Sequence, residues 1–301
     1  SLCDWSSDVC SSDLPAAVPA SPPSGKIADP HLAWADEQVE QALEEHLRPI
    51  VDFFEHAKKN TRPFADEALS WGSKWRLVAD KVPFASGGKH EQFMRGKFEE
   101  YLFTPRQLED VVRQAVAGYI QHIESIEGRM LVRLRADVSD FPSAYQIAQI
   151  DGEKLRASYE EALAQAMSSV DGNLRSDVAT EMVSIIAGEV LAQVAVRMGV
   201  SAGILGTGAA SSWATFGVGA VVGLIVDQIV SRVWDWYADP RGNLAVQLNQ
   251  KLDDVRRWII DGSGDSTGLR DRLRQFARER STLRRQAVMT LMQAPSGGSN
   301  P

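Results

Sequence analysis

The amino-acid sequence predicts an all-α protein, an elongated helical bundle with a central glycine-zipper hydrophobic helix or hairpin. Three observations predict this fold class. Apolar residues recur at intervals of three and four along most of the chain, which is the period of an amphipathic helix. No stretch alternates apolar and polar residues as a half-buried strand would. Residues 198 to 226 contain no charged side chain, so the charged helices have one apolar segment around which to pack.

The chain begins with 14 residues that do not read as ordinary coding sequence. They are SLCDWSSDVCSSDL, and the part DWSSDVCSSDL resembles the in-frame translation of a short-read sequencing adapter. The resemblance implies that residues 1 to 14 are an artefact without a part in the fold. Both cysteines, Cys3 and Cys10, lie in this stretch. The remainder therefore offers no disulfide, thiolate nucleophile or cysteine metal ligand.

Residues 15 to 30 contain five prolines in 16 positions and show no apolar period. This composition predicts a disordered linker rich in proline and alanine. A helical region is expected from residue 31 to residue 197. In its first helix, Pro49 is expected to cause a bend or an early end, because proline removes a helical hydrogen bond. A second helix is expected from Pro63 to Ala79, followed by a short third helix.

The clearest helix start in the chain lies at residues 104 to 107. Thr104 is a good cap, Pro105 suits the first helical position, and Gln107 stands three residues after the cap. These residues predict a capping box. Apolar residues then advance by threes and fours to about Val138, which predicts a long core-facing helix. Two more helices are expected before residue 198, and the second of them leads into the uncharged stretch.

We call residues 198 to 226 the apolar segment. It has 29 positions, seven of them glycine, whereas a bilayer span takes about 20 apolar residues. Glycines four residues apart also let helices approach closely within a membrane. One prediction is therefore a non-enzymatic, membrane-associated or membrane-inserting protein that self-associates through a candidate transmembrane segment within 198 to 237. Helix packing and the membrane interface are assigned to Gly199, Gly203, Gly206, Gly219, Gly223, Trp234, Trp236 and Tyr237.

The alternative is a cytoplasmic, soluble helical-bundle protein that serves interaction or scaffolding. In this interpretation the apolar segment is a buried hairpin, broken near residues 207 to 212, where glycine and serine disfavour helix. Each arm would then have only about 12 to 15 residues, the length of a core helix. Asp227 and Arg232 favour this alternative, because charges inside lipid are costly. The sequence leaves both interpretations open.

The C-terminal region, 238 to 293, predicts two amphipathic helices. Asp239 and Pro240 form the start of the first, and the glycine- and serine-rich residues 262 to 268 predict a flexible joint before the second. The second helix is strongly basic, with seven arginines against two acidic residues from Leu269 onward. One interpretation is contact with an anionic membrane surface or an acidic partner. That contact is assigned to Arg270, Arg274, Arg278, Arg284 and Arg285.

The other interpretation of these arginines is the solvated basic face of a bundle helix. Residues 294 to 301 are expected to be a disordered tail. They follow the last apolar position of the basic helix and contain glycine, serine and proline.

The sequence predicts no catalytic residue, cofactor or metal site. The five histidines lack the Glu-x-x-His spacing of metal-binding bundles. The glycines of the apolar segment lack the spacing of nucleotide-binding loops, and Ser211 and Ser212 lack a nucleophile elbow. The net charge of −8 disfavours a nucleic-acid partner. The predicted partners are membrane lipid and a second copy of the chain, and no small-molecule substrate is inferred.

Overall fold

The computed structural model describes residues 23–79, 89–142, 144–168, 178–199, 221–226, 239–264 and 266–293. The predicted all-α class is confirmed, since helices account for nearly all of these residues. The helices are α1 (Ser24–Lys59), α2 (Thr61–Ala79), α3 (Lys89–Tyr101), α4 (Pro105–Val138), α5 (Gln146–Gln149), α6 (Gly152–Ser168), α7 (Val178–Arg197), α8 (Pro240–Ile260) and α9 (Leu269–Leu291). Residues 221 to 226 are also helical.

Helix α1 begins earlier and runs further than the sequence predicts. It starts at Ser24 and includes both Pro30 and Pro49, so the part of the expected linker from residue 24 onward is helical. Ala28 and Leu32 on either side of Pro30 are buried. The free energy gained by burying apolar side chains at each turn exceeds the free energy lost with the hydrogen bond that each proline removes. The predicted artefact, residues 1 to 14, and the linker up to residue 22 lie outside the described part.

Helix α4 begins as its sequence predicts. The Thr104 hydroxyl accepts a hydrogen bond from the Gln107 backbone N–H, and the Gln107 side chain accepts one from the Thr104 backbone N–H. Pro105 occupies the first helical position. The apolar stripe of α4 is buried along its length, from Leu108 to Val138. It packs chiefly against α1, so these two long helices form the centre of the core.

The other helices surround this pair. Helix α9 packs against α1 and α6, and α7 packs against α4. Helix α2 packs against α3 and α8. A cluster of aromatic rings from α1, α3 and the α3–α4 connection fills one end of the core, where Phe54, Phe98 and Phe103 meet edge to face. Such aromatic contacts add specific geometry to the burial energy.

The expected flexible joint at residues 262 to 268 contains a small hairpin. Strand β1 (Gly262–Ser263) pairs antiparallel with β2 (Ser266–Thr267). Gly262 and Gly264 have φ of 74° and 57°, values that favour glycine. A side chain at Gly262 would also collide with the backbone oxygen of Ser266. The glycines therefore provide a tight turn between α8 and α9.

The predicted transmembrane helix is corrected by the structure. Within the described ranges, no helix is long and apolar enough to cross a membrane. Helix α7 carries Glu181, Glu189 and Arg197, whose charges interrupt its apolar surface. At the other end of the apolar segment, the side chains of Val221, Val222, Ile225 and Val226 are buried within the protein. Most of the apolar segment, residues 200 to 220, lies outside the described part.

Candidate functional site

Four charged side chains form an ionic cluster where α1, α4 and α9 meet, with Glu127 and Arg284 buried at its centre and Asp36 at its exposed edge. Glu127 accepts two hydrogen bonds from Arg280, at 3.0 and 2.8 Å, and one from Arg284 at 3.3 Å. Arg284 also donates to Asp36 at 2.5 Å. Glu127 and Arg284 are only 2% and 1% exposed. Since charges are costly to bury without partners, the paired geometry explains how they are accommodated.

The pKa of Arg280 follows from this geometry. Burial alone lowers that pKa, but the hydrogen bonds and negative charge of Glu127 outweigh burial and raise it above its ordinary value. Arg280 therefore stays charged. The two hydrogen bonds from one guanidinium to one carboxylate are the geometry that makes arginine pairs strong.

Tyr159 of α6 is buried beside the ionic cluster. Its hydroxyl is closed off from solvent and makes no well-aligned hydrogen bond with the described residues, but it lies near the Glu127 carboxylate. Burial, together with the charge of Glu127 and its interaction with the hydroxyl, raises the pKa of Tyr159, so the hydroxyl keeps its proton.

A cavity of about 230 Å³ lies next to Tyr159, between α4, α6, α7 and α9. One wall is mostly apolar and the other carries charged side chains. The lining residues are Ile120, Glu124, Glu127, Gly128, Leu131, Arg156, Tyr159, Glu160, Leu163, Ala164, Met167, Met182, Phe276 and Arg280. Mixed walls of this kind suit molecules with an apolar body and a polar head.

The arginines predicted to contact an anionic surface mostly pair within the chain. Arg270 pairs with Glu44 and Asp261, Arg274 with Glu40 at 2.8 Å, and Arg285 with Asp29 at 2.6 Å. Arg284 belongs to the ionic cluster. Arg278 is exposed and has no ion-pair partner among the described residues. These pairs connect α9 to α1 along their length, and contact with an anionic surface stays a prediction.

The glycine positions predicted to pack helices are only partly described. Gly199 ends α7 with φ of 109° and has open space around it, which is the conformation of a helix stop. A side chain at Gly223 would lie 3.7 Å from the Arg95 guanidinium, so this glycine faces α3. The remaining predicted positions lie outside the described residues, namely Gly203, Gly206, Gly219, Trp234, Trp236 and Tyr237.

Two histidines that the sequence separates by 76 positions meet between α1 and α4. The Nε2 atom of His46 lies 3.0 Å from Nδ1 of His122. Burial and the nearby His122 lower the pKa of His46, against a smaller opposing effect of Glu45. No group of three or more histidine, cysteine or acidic side chains within the described ranges could hold a metal ion. The histidine pair is a side-chain contact between α1 and α4 in which burial and His122 disfavour the charged form of His46.

A surface of α1 and α4 joins a tryptophan to two arginines. The Arg133 guanidinium lies 4.0 Å from the centre of the Trp34 ring and that of Arg129 lies 5.7 Å away. Neither arginine has an ion-pair partner in the described part of the chain. Val132, which precedes Arg133 on the outer side of α4, is 66% exposed. We call Trp34, Arg129, Val132 and Arg133 the arginine–tryptophan surface.

Fold and sites together define an all-α protein with a partly buried ionic cluster, a small cavity beside it and an exposed cation–aromatic surface. No protein-family model matches the chain, and no curated protein or solved structure is significantly similar to it.

Proposed function

We propose that the chain is a non-enzymatic helical interaction protein that binds an acidic protein segment through the arginine–tryptophan surface. The observation that carries the proposal is the pair of arginines without ion-pair partners over the Trp34 ring, with the exposed Val132 next to them on α4. Tryptophan and arginine are enriched at the energetic centres of protein interfaces. Among the rings that the structure describes, only Trp34 has two guanidinium groups over it, which makes this surface distinct.

The chemistry of the surface favours a carboxylate-bearing partner. A guanidinium stacked on an aromatic ring still presents its edge N–H groups, which match the two oxygens of a carboxylate. The exposed Val132 side chain offers an apolar contact beside the two charges. A nucleic acid is the weaker candidate, because the chain has a net charge of −8 and would repel a long phosphate backbone.

The alternative interpretation of the apolar segment fits this proposal. Its last described residues are part of the protein core, with Val221, Val222 and Ile225 fully buried. The apolar residues there act in packing, and the exposed surface of the helices is left for partners. Self-association is part of the proposal only if the acidic segment belongs to a second copy of the chain.

The test is a selection of random peptides displayed on phage against the intact protein. We expect enriched peptides to combine acidic residues with an apolar one. Their binding should fall about ten-fold or more for Arg129→Glu, Arg133→Glu and Val132→Asp, because these changes remove attraction at the centre of the surface. Each loss is measured as a change in the dissociation constant of one enriched synthetic peptide.

Matched controls come from elsewhere on the helices. Arg106→Glu changes an arginine whose side chain is 90% exposed, and Val246→Asp changes a valine that is 54% exposed. Both should leave peptide binding unchanged. Enrichment of peptides without acidic residues, or equal loss in the controls, would refute the proposal. If the acidic segment belongs to a second copy of the chain, the protein alone should sediment as a dimer, and Arg129→Glu should dissociate that dimer.

A further inference from the structure

The cavity between α4, α6, α7 and α9 has one charge that its own neighbours do not balance. The ionic cluster is neutral, since Asp36 and Glu127 face Arg280 and Arg284. On the same wall, Arg156 pairs with Glu160 at 2.8 Å.

Glu124 is the remaining charged residue of the lining. It has no ion-pair partner among the described residues, and it is only partly exposed. The cavity therefore presents one negative charge that a ligand could neutralise.

Tyr159 is a lining residue, but its hydroxyl belongs to the ionic cluster and not to the open space. The hydroxyl is closed off from solvent and lies beside Glu127, which contributes to the raised pKa of Tyr159. The head group of a ligand in the cavity therefore meets Glu124 and not this hydroxyl.

The space itself depends on a glycine. Gly128 lies in the middle of α4, where glycine is about 1 kcal/mol less favourable than alanine. A Cβ added there would meet no atom within 4 Å. Gly128 lines the cavity, so the missing side chain is part of its volume, and close packing does not explain the glycine.

The opposite wall is suited to an alkyl or aryl group. It contains Leu163 and Met167 from α6, Met182 from α7 and Phe276 from α9. Methionine side chains adapt to ligands of different shape. Burial of each methylene group against such a wall contributes about 0.8 kcal/mol, so an apolar body gains affinity without needing a specific polar contact.

We propose that this cavity binds a small amphipathic amine, with the ammonium group beside Glu124 and the apolar body against Leu163, Met182 and Phe276. An anionic head would add to the one unbalanced negative charge of the lining and is disfavoured. A neutral alcohol would leave the charge of Glu124 unbalanced. The proposal does not depend on the arginine–tryptophan surface.

Calorimetric titration of the intact protein tests the head group. The probes are octylammonium, octan-1-ol and octanoate, each below its micelle concentration. We expect octylammonium to bind about ten-fold or more tightly than the other two, because a hydrogen bond to a charged partner adds that much affinity. Absence of octylammonium binding, or equal binding of octan-1-ol, would overturn the proposal.

Glutamates inside and outside the lining provide a matched pair of variants. Glu124→Gln should weaken octylammonium binding about ten-fold or more while leaving octan-1-ol binding unchanged. Glu161→Gln removes an exposed charge of α6 that does not line the cavity and should change neither. An equal effect of both variants would show that the amine senses only the general charge of the protein, and would overturn the assignment of Glu124.

Filling variants test the location. Gly128→Leu fills the cavity from α4, and Ala164→Leu fills it from α6. Either should abolish octylammonium binding without lowering the melting temperature, since both replacements favour helix or add contacts. Gly96→Ala is the control, because a Cβ there also meets no atom within 4 Å and Gly96 is outside the lining. Unchanged binding in both folded filling variants would place the amine elsewhere and overturn the proposal.

Discussion

Glu127 and Arg284 form an ion pair across α4 and α9 in which both side chains are almost fully buried, with Oε1 and Nη1 3.3 Å apart. Removing one partner of such a pair leaves an uncompensated buried charge. Glu127→Ala should therefore lower the free energy of unfolding by about 3–5 kcal/mol, measured by urea denaturation.

The adjacent arginine provides the control. Arg285 pairs with Asp29, and both side chains are more than half exposed. Arg285→Met should cost at most about 1 kcal/mol, because solvent screens exposed pairs. Arg280 also pairs with Glu127, so the triple variant Glu127→Leu, Arg280→Met and Arg284→Met should recover much of the loss, since apolar residues often replace buried paired charges well. A triple variant as unstable as Glu127→Ala would contradict this account.

The pair of His46 and His122 makes stability depend on pH. Burial and His122 lower the pKa of His46 in the folded chain, so between that pKa and the unfolded value of about 6.5 the unfolded chain binds more protons. The contribution of His46 to the free energy of unfolding is therefore fully present above about pH 6.5. It declines as the pH falls toward the pKa of His46 in the folded chain. The free energy of unfolding should be measured by urea denaturation from pH 8 to pH 5.

Variants separate the contribution of this pair from that of other groups. His122→Gln removes the second cause of the lowered pKa of His46 and leaves burial, so the decline with falling pH should become smaller. His56→Gln, at an exposed position of the same helix as His46, should leave the decline as it is. The same decline in wild type and His122→Gln would show that His122 does not influence the protonation of His46.

The start of α4 provides a third prediction. Thr104→Ala removes the hydroxyl that accepts from the Gln107 backbone N–H and should cost about 1 kcal/mol in urea denaturation. Thr104→Ser keeps the hydroxyl and should cost only a small part of that. An equal loss for both variants would mean that the methyl group of Thr104, and not the cap, is responsible.

This helix start also shows which features could be predicted from the sequence. The capping residues of α4 lie within four positions of one another, and Asp239 similarly accepts from the Gly242 backbone N–H at the start of α8. Such signals depend on local chemistry alone. Pro30 and Pro49 are local signals too, since proline disfavours the interior of a helix. At these positions the burial of α1 against α4 outweighs the local preference. The apolar period of the sequence does not show how tightly a helix will pack.

The sites depend on pairs that are distant in the sequence. Arg274 and Glu40 pair although they are 234 residues apart. From the sequence alone, the basic composition of α9 therefore suggests an acidic partner outside the chain, and the acidic residues of α1 are not recognised as its neighbours. A signal is present, since Asp29, Asp36, Glu40 and Glu44 recur at helical spacing on one side of α1. Only the packing of α1 against α9 shows that the two charged faces meet.

The contact between Gly118 and His46 provides the last prediction. A Cβ at position 118 would lie 2.9 Å from His46 Nδ1, too close for an unstrained contact. Glycine to alanine within a helix normally raises stability by about 1 kcal/mol, and Gly96→Ala should show that gain because its surroundings are open.

Gly118→Ala should instead lose stability, because the new methyl group displaces the His46 ring and breaks its hydrogen bond to His122. The two variants therefore should change the urea midpoint in opposite directions. Adding His46→Ala should restore the gain at position 118, since the ring that the methyl group meets is then absent. If Gly118→Ala stabilises the protein in the presence of His46, the glycine is not required for the close approach of α1 and α4.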